Sequence, residues 1–211
     1  WLDGQLGLCF CDHCVRGAQK AGIDALCLKA QVARDVSDYL ASDVEFATDM
    51  AEAFWQADTL GGSALGKFLD WRCGVVTSLV SDIRANVRQD VNVAIIPSVA
   101  RPTGGAWYEG SDLKGQAETV GIIEACFYEP GATRVKADLF DIKRRLRGAG
   151  RLRGILRPAY PDFAGEAEFL SAVEALASDG VSELAFYNWG HLRQTNVERI
   201  AKAMKILDQY A

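Results

Sequence analysis

The sequence predicts an α/β fold: the C-terminal half of a (βα)8 TIM-like barrel with a helical N-terminal part. Two observations carry this expectation. Short apolar, β-branched runs recur through the second half about 30 residues apart, the size of one βαβ unit. Their C-terminal ends carry polar and aromatic clusters: Arg101 with Trp107, Tyr128 with Glu129, Tyr160 with Asp162, and Asn188 with Trp189. In such barrels the C-terminal strand ends build the active face. A small open α/β sheet is the other architecture the pattern allows, with a site only near its switch point. The half-barrel reading makes residues 1–211 a single domain within a larger barrel and places the first three or four strands upstream of Trp1.

The elements follow in chain order. Leu2 to Phe10 is the only stretch of the first half that could hold a strand, and its glycines weaken it. Gly17 to about Ala57 reads as one or two Ala-rich helices. Gly61-Gly62-Ser63 is a break. Ala64 to Arg88 reads as a long helix with Leu65, Phe68, Leu69, Val75, Val76, Leu79, Val80 and Ile83 on its apolar face. Residues 1–90 are therefore expected to be mostly helical, and residues 91–211 to form four βα units. The four strand runs start at Val91, Thr119, Leu152 and Glu183. Most are apolar on consecutive residues, which suits strands covered on both faces. Helical stripes separate them over Val135–Arg147, Glu166–Ser178 and Thr195–Tyr210. Asp179-Gly180 ends the second of these, as Gly does at a helix C-terminus.

Composition narrows the function classes. Hydrophobic residues make up 49% of the chain and charged residues 24%, enough apolar surface to offset chain entropy. With 23 Lys and Arg against 28 Asp and Glu the net charge is −5, which gives no footprint for nucleic acid or an anionic membrane. No run approaches the ~18 apolar residues of a membrane span. The chain opens on Trp1 with no secretory leader, so either a leader was removed or the chain begins inside a longer protein. The Lys- and Arg-rich stretch Val135–Arg151 mixes its charges with apolar residues at helical spacing and reads as a solvated helix face. A half-barrel leaves sheet edges and an apolar helix face uncovered, so a homo-oligomer or docking of the missing half is expected.

Six cysteines lie at 9, 11, 14, 27, 73 and 126. Their uneven spacing argues against a disulfide framework and for a reduced, cytoplasmic compartment. Cys9-Phe10-Cys11-Asp12-His13-Cys14 is the sharpest local signal. Alternate residues on an extended segment, plus one after a tight turn, can converge thiolates on a tetrahedral ion, and soft sulfur suits structural zinc. Cys27, His13 or a residue upstream would supply the fourth ligand. The alternative is three small buried thiols. A metal-dependent enzyme or redox sensor centred on these cysteines would need an open coordination position or a low-pKa thiolate.

Cys9-x-Cys11-x-x-Cys14 ahead of a helical region resembles the zinc-binding cysteine cluster of glycoside hydrolase family 42 β-galactosidases, which are βα-barrel enzymes. The wider run Leu6 to Cys14 with Ala21-Gly22-Ile23-Asp24, and the tail Phe186-Tyr187-Asn188-Trp189-Gly190, are similar to a group of uncharacterised bacterial barrel proteins. The resemblance implies a structural zinc and a carbohydrate-like small-molecule ligand. It also implies a nucleophilic Glu at the end of the seventh strand. The matching stretch, Arg157 to Asp162, has no Glu, and Asp162 is its nearest carboxylate.

Glu129 and Asp162 are the candidate catalytic carboxylates. Each follows a strand run directly, where a carboxylate acts as general acid, base or hydrogen-bond acceptor. The alternative is a solvated loop position. Arg101, Trp107, Tyr128, Tyr160, Asn188 and Trp189 are the candidate ligand-binding residues, since flat aromatic faces suit sugar rings. Glu124, inside a strand, needs a cation, and Arg157 is the partner expected across a lumen. The two histidines, His13 and His191, and the absence of a Gly-x-Ser-x-Gly elbow leave no serine-hydrolase logic. The expected function is that of a glycoside-hydrolase-like barrel acting on or binding a carbohydrate-like ligand. The alternative is a non-catalytic or degenerate binding protein with a structural zinc site.

Overall fold

The structure is a computed structural model that describes residues 1–99 and 101–210. The chain divides into two compact units. The first comprises Trp1–Val75 with Tyr108–Gly110, the second Val76–Trp107 with Ser111–Ala211. No helix among the described residues is long and apolar enough to cross a membrane.

The first unit is helical. It holds α1 (Leu2–Leu6), α2 (Asp12–Lys20), α3 (Ala25–Ala41), α4 (Thr48–Asp58) and the first half of α5 (Ala64–Asn86). Leu2 to Phe10 is thus no strand. Asp24 starts α3 as an N-cap, its carboxylate accepting from the Cys27 N–H at 2.9 Å. The unit is knitted by aromatic rings. Phe68, fully buried, stacks on Phe10 at 5.2 Å and tilts against Trp71 at 5.3 Å. Gly17 is needed beneath that cluster, because a Cβ there would lie 2.7 Å from Trp71 Cζ2. A second ring cluster joins Trp1, Tyr39, Phe46 and Phe54 at centroid separations of 4.7 to 5.7 Å.

The second unit is a small parallel sheet with helices. Strands β1 (Ile122–Cys126), β2 (Arg151–Leu156) and β3 (Leu184–Phe186) lie side by side in chain order. Of the run that begins at Val91, only Ile95 joins the sheet, as a parallel bridge to Ile123. Helices α6 (Leu113–Val120), α7 (Ala132–Leu146), α8 (Glu166–Ser178) and α9 (Gln194–Leu207) complete the unit. Ile123, Ala125 and Phe127 share one core with Leu156 and with Val135, Leu139 and Ile142 of α7, Phe169, Val173 and Leu176 of α8, and Ala203 and Leu207 of α9. The alternate residues Cys126, Tyr128 and Ile155 form a separate, smaller cluster. Side chains alternate across a strand, so these two sets lie on opposite faces of the sheet.

That arrangement corrects the expected fold class. The described chain is mostly helical with one three-stranded parallel sheet, and is neither a (βα)8 barrel nor half of one. The physical reason lies in the strand faces. The runs look apolar on consecutive residues, but one face carries Ile123, Ala125 and Phe127 to the helices while the other carries Glu124 and the arginines of β2. Glu124 and Arg153 are register partners, and Arg153 Nη1 donates to Glu124 Oε1 at 3.0 Å. The cation for Glu124 is therefore Arg153 on the adjacent strand.

Candidate functional site

Two groups of candidate residues stand in separate places. The first is at the C-terminal ends of the strands in the second unit. Tyr128 follows β1 and is buried beneath Arg157, whose guanidinium lies 4.4 Å from the ring centroid. Arg101 approaches the same ring at 5.9 Å. Burial holds the Tyr128 hydroxyl above its ordinary value, and the adjacent Cys126 thiol adds to the effect.

Both candidate carboxylates are buried, each only 2% exposed. Asp162 is held as an ion pair. Arg157 Nε donates to its Oδ2 at 2.6 Å, Arg157 Nη2 donates to Oδ1, and Arg101 Nη1 lies 3.6 Å from Oδ1. This fork geometry raises the Arg157 guanidinium further above its ordinary value. Glu129 Oε2 accepts from Arg134 Nε at 2.7 Å, while its buried Oε1 has no partner among the described residues. The Gly131 N–H donates to the Asp162 carbonyl at 2.8 Å and ties the two loops together. Neither carboxylate is the solvated loop residue that the alternative reading supposed.

A cavity of about 250 Å³ opens beside this network. Tyr160 and Asn188 line it together with Arg157, Tyr187, His191 and Asn196. Tyr160 is 88% exposed and Tyr187 53% exposed, so flat aromatic surface faces solvent at its rim. Trp189, in a short 3-10 turn after β3, is 78% exposed but does not line the cavity. Trp107 belongs elsewhere, in a cleft with Arg144, Arg145 and Arg147.

Two residues of this region escape a reading by motif. Arg157 serves Asp162 five residues on, a pairing across a turn that no periodicity displays. Asp138 is buried in α7, where its carboxylate accepts from the Thr103 N–H at 2.9 Å and the Thr103 hydroxyl at 2.8 Å. Burial pushes its carboxyl above the ordinary value despite these bonds. A signal for it exists: Val135, Asp138, Leu139 and Ile142 fall at helical spacing, so a carboxylate sits on the apolar stripe.

The second group is the cysteine cluster of the first unit. Cys11 is the N-cap of α2 and Cys14 is its third residue, while Cys9 precedes on the connecting segment. The three sulfurs lie within 4.8 Å of one another, an arrangement that could hold a metal ion. Neither Cys27 nor His13 belongs to that group among the described residues. The Cys14 backbone N–H, with the Cys9 and Cys14 thiols, lowers Cys11 to about 7. Burial, with the Cys11 and Cys9 thiols, pushes Cys14 up to about 12. A helix N-terminus thus favours one thiolate, and a cation is what allows all three to ionise together.

Comparison with protein families, with curated proteins and with solved structures returns no match.

Proposed function

We propose that this chain binds a carbohydrate-like small molecule at the strand ends of its second unit, without hydrolysing it. The observation that carries this reading is the cavity at Arg157, Tyr160, Tyr187, Asn188, His191 and Asn196. It joins exposed aromatic faces to amide, imidazole and guanidinium groups, the mixture that orients a polar ring ligand. The binding reading is favoured over hydrolysis because glycoside cleavage uses two working carboxylates: Glu129 keeps a free Oε1, but Asp162 has both oxygens committed to Arg157. A general acid or base needs a free oxygen to take or give a proton.

Calorimetric titration with a panel of mono- and disaccharides tests this. Saturable binding is expected for at least one, weakened tenfold or more by Tyr160→Ala and by Asn188→Ala. Turnover of aryl glycosides that falls by about a hundredfold in Glu129→Gln would replace binding with catalysis.

For the cysteine cluster we propose zinc, held by Cys9, Cys11 and Cys14 in a structural role. Three thiolates select a soft divalent ion, and zinc needs a fourth donor to close a structural site. Metal analysis is expected to find one zinc per chain, lost in Cys11→Ser. Metal-free protein whose melting is unchanged by a chelator would leave three thiols and no site.

A further inference from the structure

A second concavity of the second unit differs in chemistry from the first. It has a volume of about 310 Å³ and is lined by Gly104, Trp107, Ser111, Asp112, Leu113, Lys114, Arg144, Arg145 and Arg147. Three elements converge there: the 3-10 turn Thr103–Glu109, the first turn of α6 and the last turn of α7 with its cap. Four cationic side chains face one carboxylate, in a chain whose net charge is −5. The single lining carboxylate, Asp112, is occupied as the N-cap of α6.

The arginines are held in place, and donors remain free. Asp141 accepts from Arg144 Nη2 at 2.5 Å and from Arg145 Nε at 2.6 Å. Burial alone would raise the Asp141 carboxyl, but these two arginines outweigh it and hold it below the ordinary value. One carboxylate orients two guanidinium groups and engages only one N–H edge of each. Arg147 has no carboxylate partner among the described residues. It stands at φ 51°, in the left-handed region where glycine is favoured, so this turn carries a long cationic side chain at a steric cost. Gly104 completes the wall. A Cβ there would fall on Asp141 Oδ2 and within 3.1 Å of Arg145 Nε, filling the space beside the arginines.

Cations at a helix C-terminus also complement its dipole. That accounts for Arg144 and Arg145 on α7, and Glu118 lies 3.3 Å from Lys114 on α6, but neither accounts for Arg147, which has no carboxylate partner among the described residues, nor for the aromatic wall at Trp107. We infer that this cleft binds a small phosphorylated molecule, its phosphate held by Arg145, Arg147 and Lys114 and its ring set against Trp107. Guanidinium forks match phosphate oxygens bidentately. The volume stands at the lower end of the ~300–1,000 Å³ of small-molecule sites, which suits one ring and one phosphate.

Titration calorimetry of the full chain at low ionic strength tests the assignment, with inorganic phosphate, glucose 6-phosphate and adenosine 5′-monophosphate as probes. At least one of the two organic phosphates is expected to bind tenfold or more tightly than inorganic phosphate, and which one identifies the ring as sugar or base. Raising the salt is expected to weaken binding. Arg147→Gln, at an exposed position, is expected to weaken it tenfold or more with unchanged melting. Gly104→Ala, which crowds the same wall, is expected to act in the same direction. Trp107→Leu is expected to abolish the advantage of the organic phosphate. Three results would overturn the inference: no saturable binding of any probe at millimolar concentration, equal affinity for all three, or binding untouched by Arg147→Gln. Binding of heparin with none of these probes would overturn it too, in favour of a surface for long polyanions.

Discussion

The two units solve the problem of burying apolar surface in different ways. In the second, a sheet presents one face to four helices and a single continuous core results, from Leu113 through Phe169 to Leu207. In the first, helices without a sheet bury Leu28, Trp55, Leu65, Phe68 and Leu69 but leave Leu6, Leu26, Leu40 and Leu60 more than half exposed. Stacked, tilted and edge-to-face ring pairs take the place of a layered core there, and the cysteine cluster lies in that unit. The comparison teaches that three parallel strands organise a core around themselves, whereas helices without a sheet rely on ring contacts, and by our proposal a metal, to hold their place.

Mutations can break this contrast, beginning with the largest effect. Phe169 is fully buried and its ring meets Phe163 and Phe186. Phe169→Ala is expected to cost about 3–5 kcal/mol, read from denaturant unfolding. Removing one partner of a buried ion pair follows. Arg157→Met leaves the Asp162 carboxylate with Arg101 alone at 3.6 Å, and a loss of about 3 kcal/mol is expected by the same measurement.

A smaller effect sharpens the comparison through pH. Burial holds the folded-state value of Asp138 above 3.8, so folding favours its protonated form. The stabilisation is complete below pH 3.8 and is lost as pH rises through the raised value. Asp138→Asn keeps an acceptor for the Thr103 N–H and removes the charge. The stability difference between variant and parent should therefore move towards the variant between pH 3.5 and pH 7. A difference independent of pH would show that Asp138 ionises as freely folded as unfolded. The smallest effect belongs to the first unit: Leu40→Ala, at a side chain 69% exposed, should stay within about 0.5 kcal/mol of the parent.

Much of the second unit was legible from local pattern. The stripe over Glu166–Ser178 matches α8 residue for residue, and Asp179-Gly180 ends it with Gly180 at φ 88°. The Cys9, Cys11 and Cys14 spacing converges its sulfurs as expected for alternate positions leading into a helix turn. What escaped the sequence depends on neighbours distant along the chain. Closure into a barrel was expected from the spacing of the strand runs and the polar and aromatic clusters at their ends, with Glu124 reaching a cation across a lumen. The pairing of Glu124 with Arg153 on the adjacent strand shows instead that the charge is met within the sheet. Leu2–Leu6 is helical although Gly4 and Gly7 argue against regular structure, because Gly4 lies against the Trp55 ring, where a Cβ would come within 2.5 Å. Trp107 was grouped with the strand-end aromatics on sequence proximity alone, and the fold turns it towards three arginines instead.

The charged face of the sheet has one further consequence, for alignment. Arg153 bridges Glu124 at 3.0 Å on one side and Glu183 at 2.5 Å on the other, while Arg151 reaches Glu183 at 2.9 Å. A slip of β2 by one residue would drive Arg153 among the apolar side chains of the core, so hydrophobicity forbids odd displacements. A slip by two keeps every face correct and is invisible to hydrophobicity. It would, however, carry Arg153 about 6.6 Å along the strands, away from both carboxylates, leaving Arg151 alone or no arginine opposite Glu124. The row of charges thus works as an index mark, distinguishing the one correct even register from its neighbours in a sheet too short for apolar packing alone to do so.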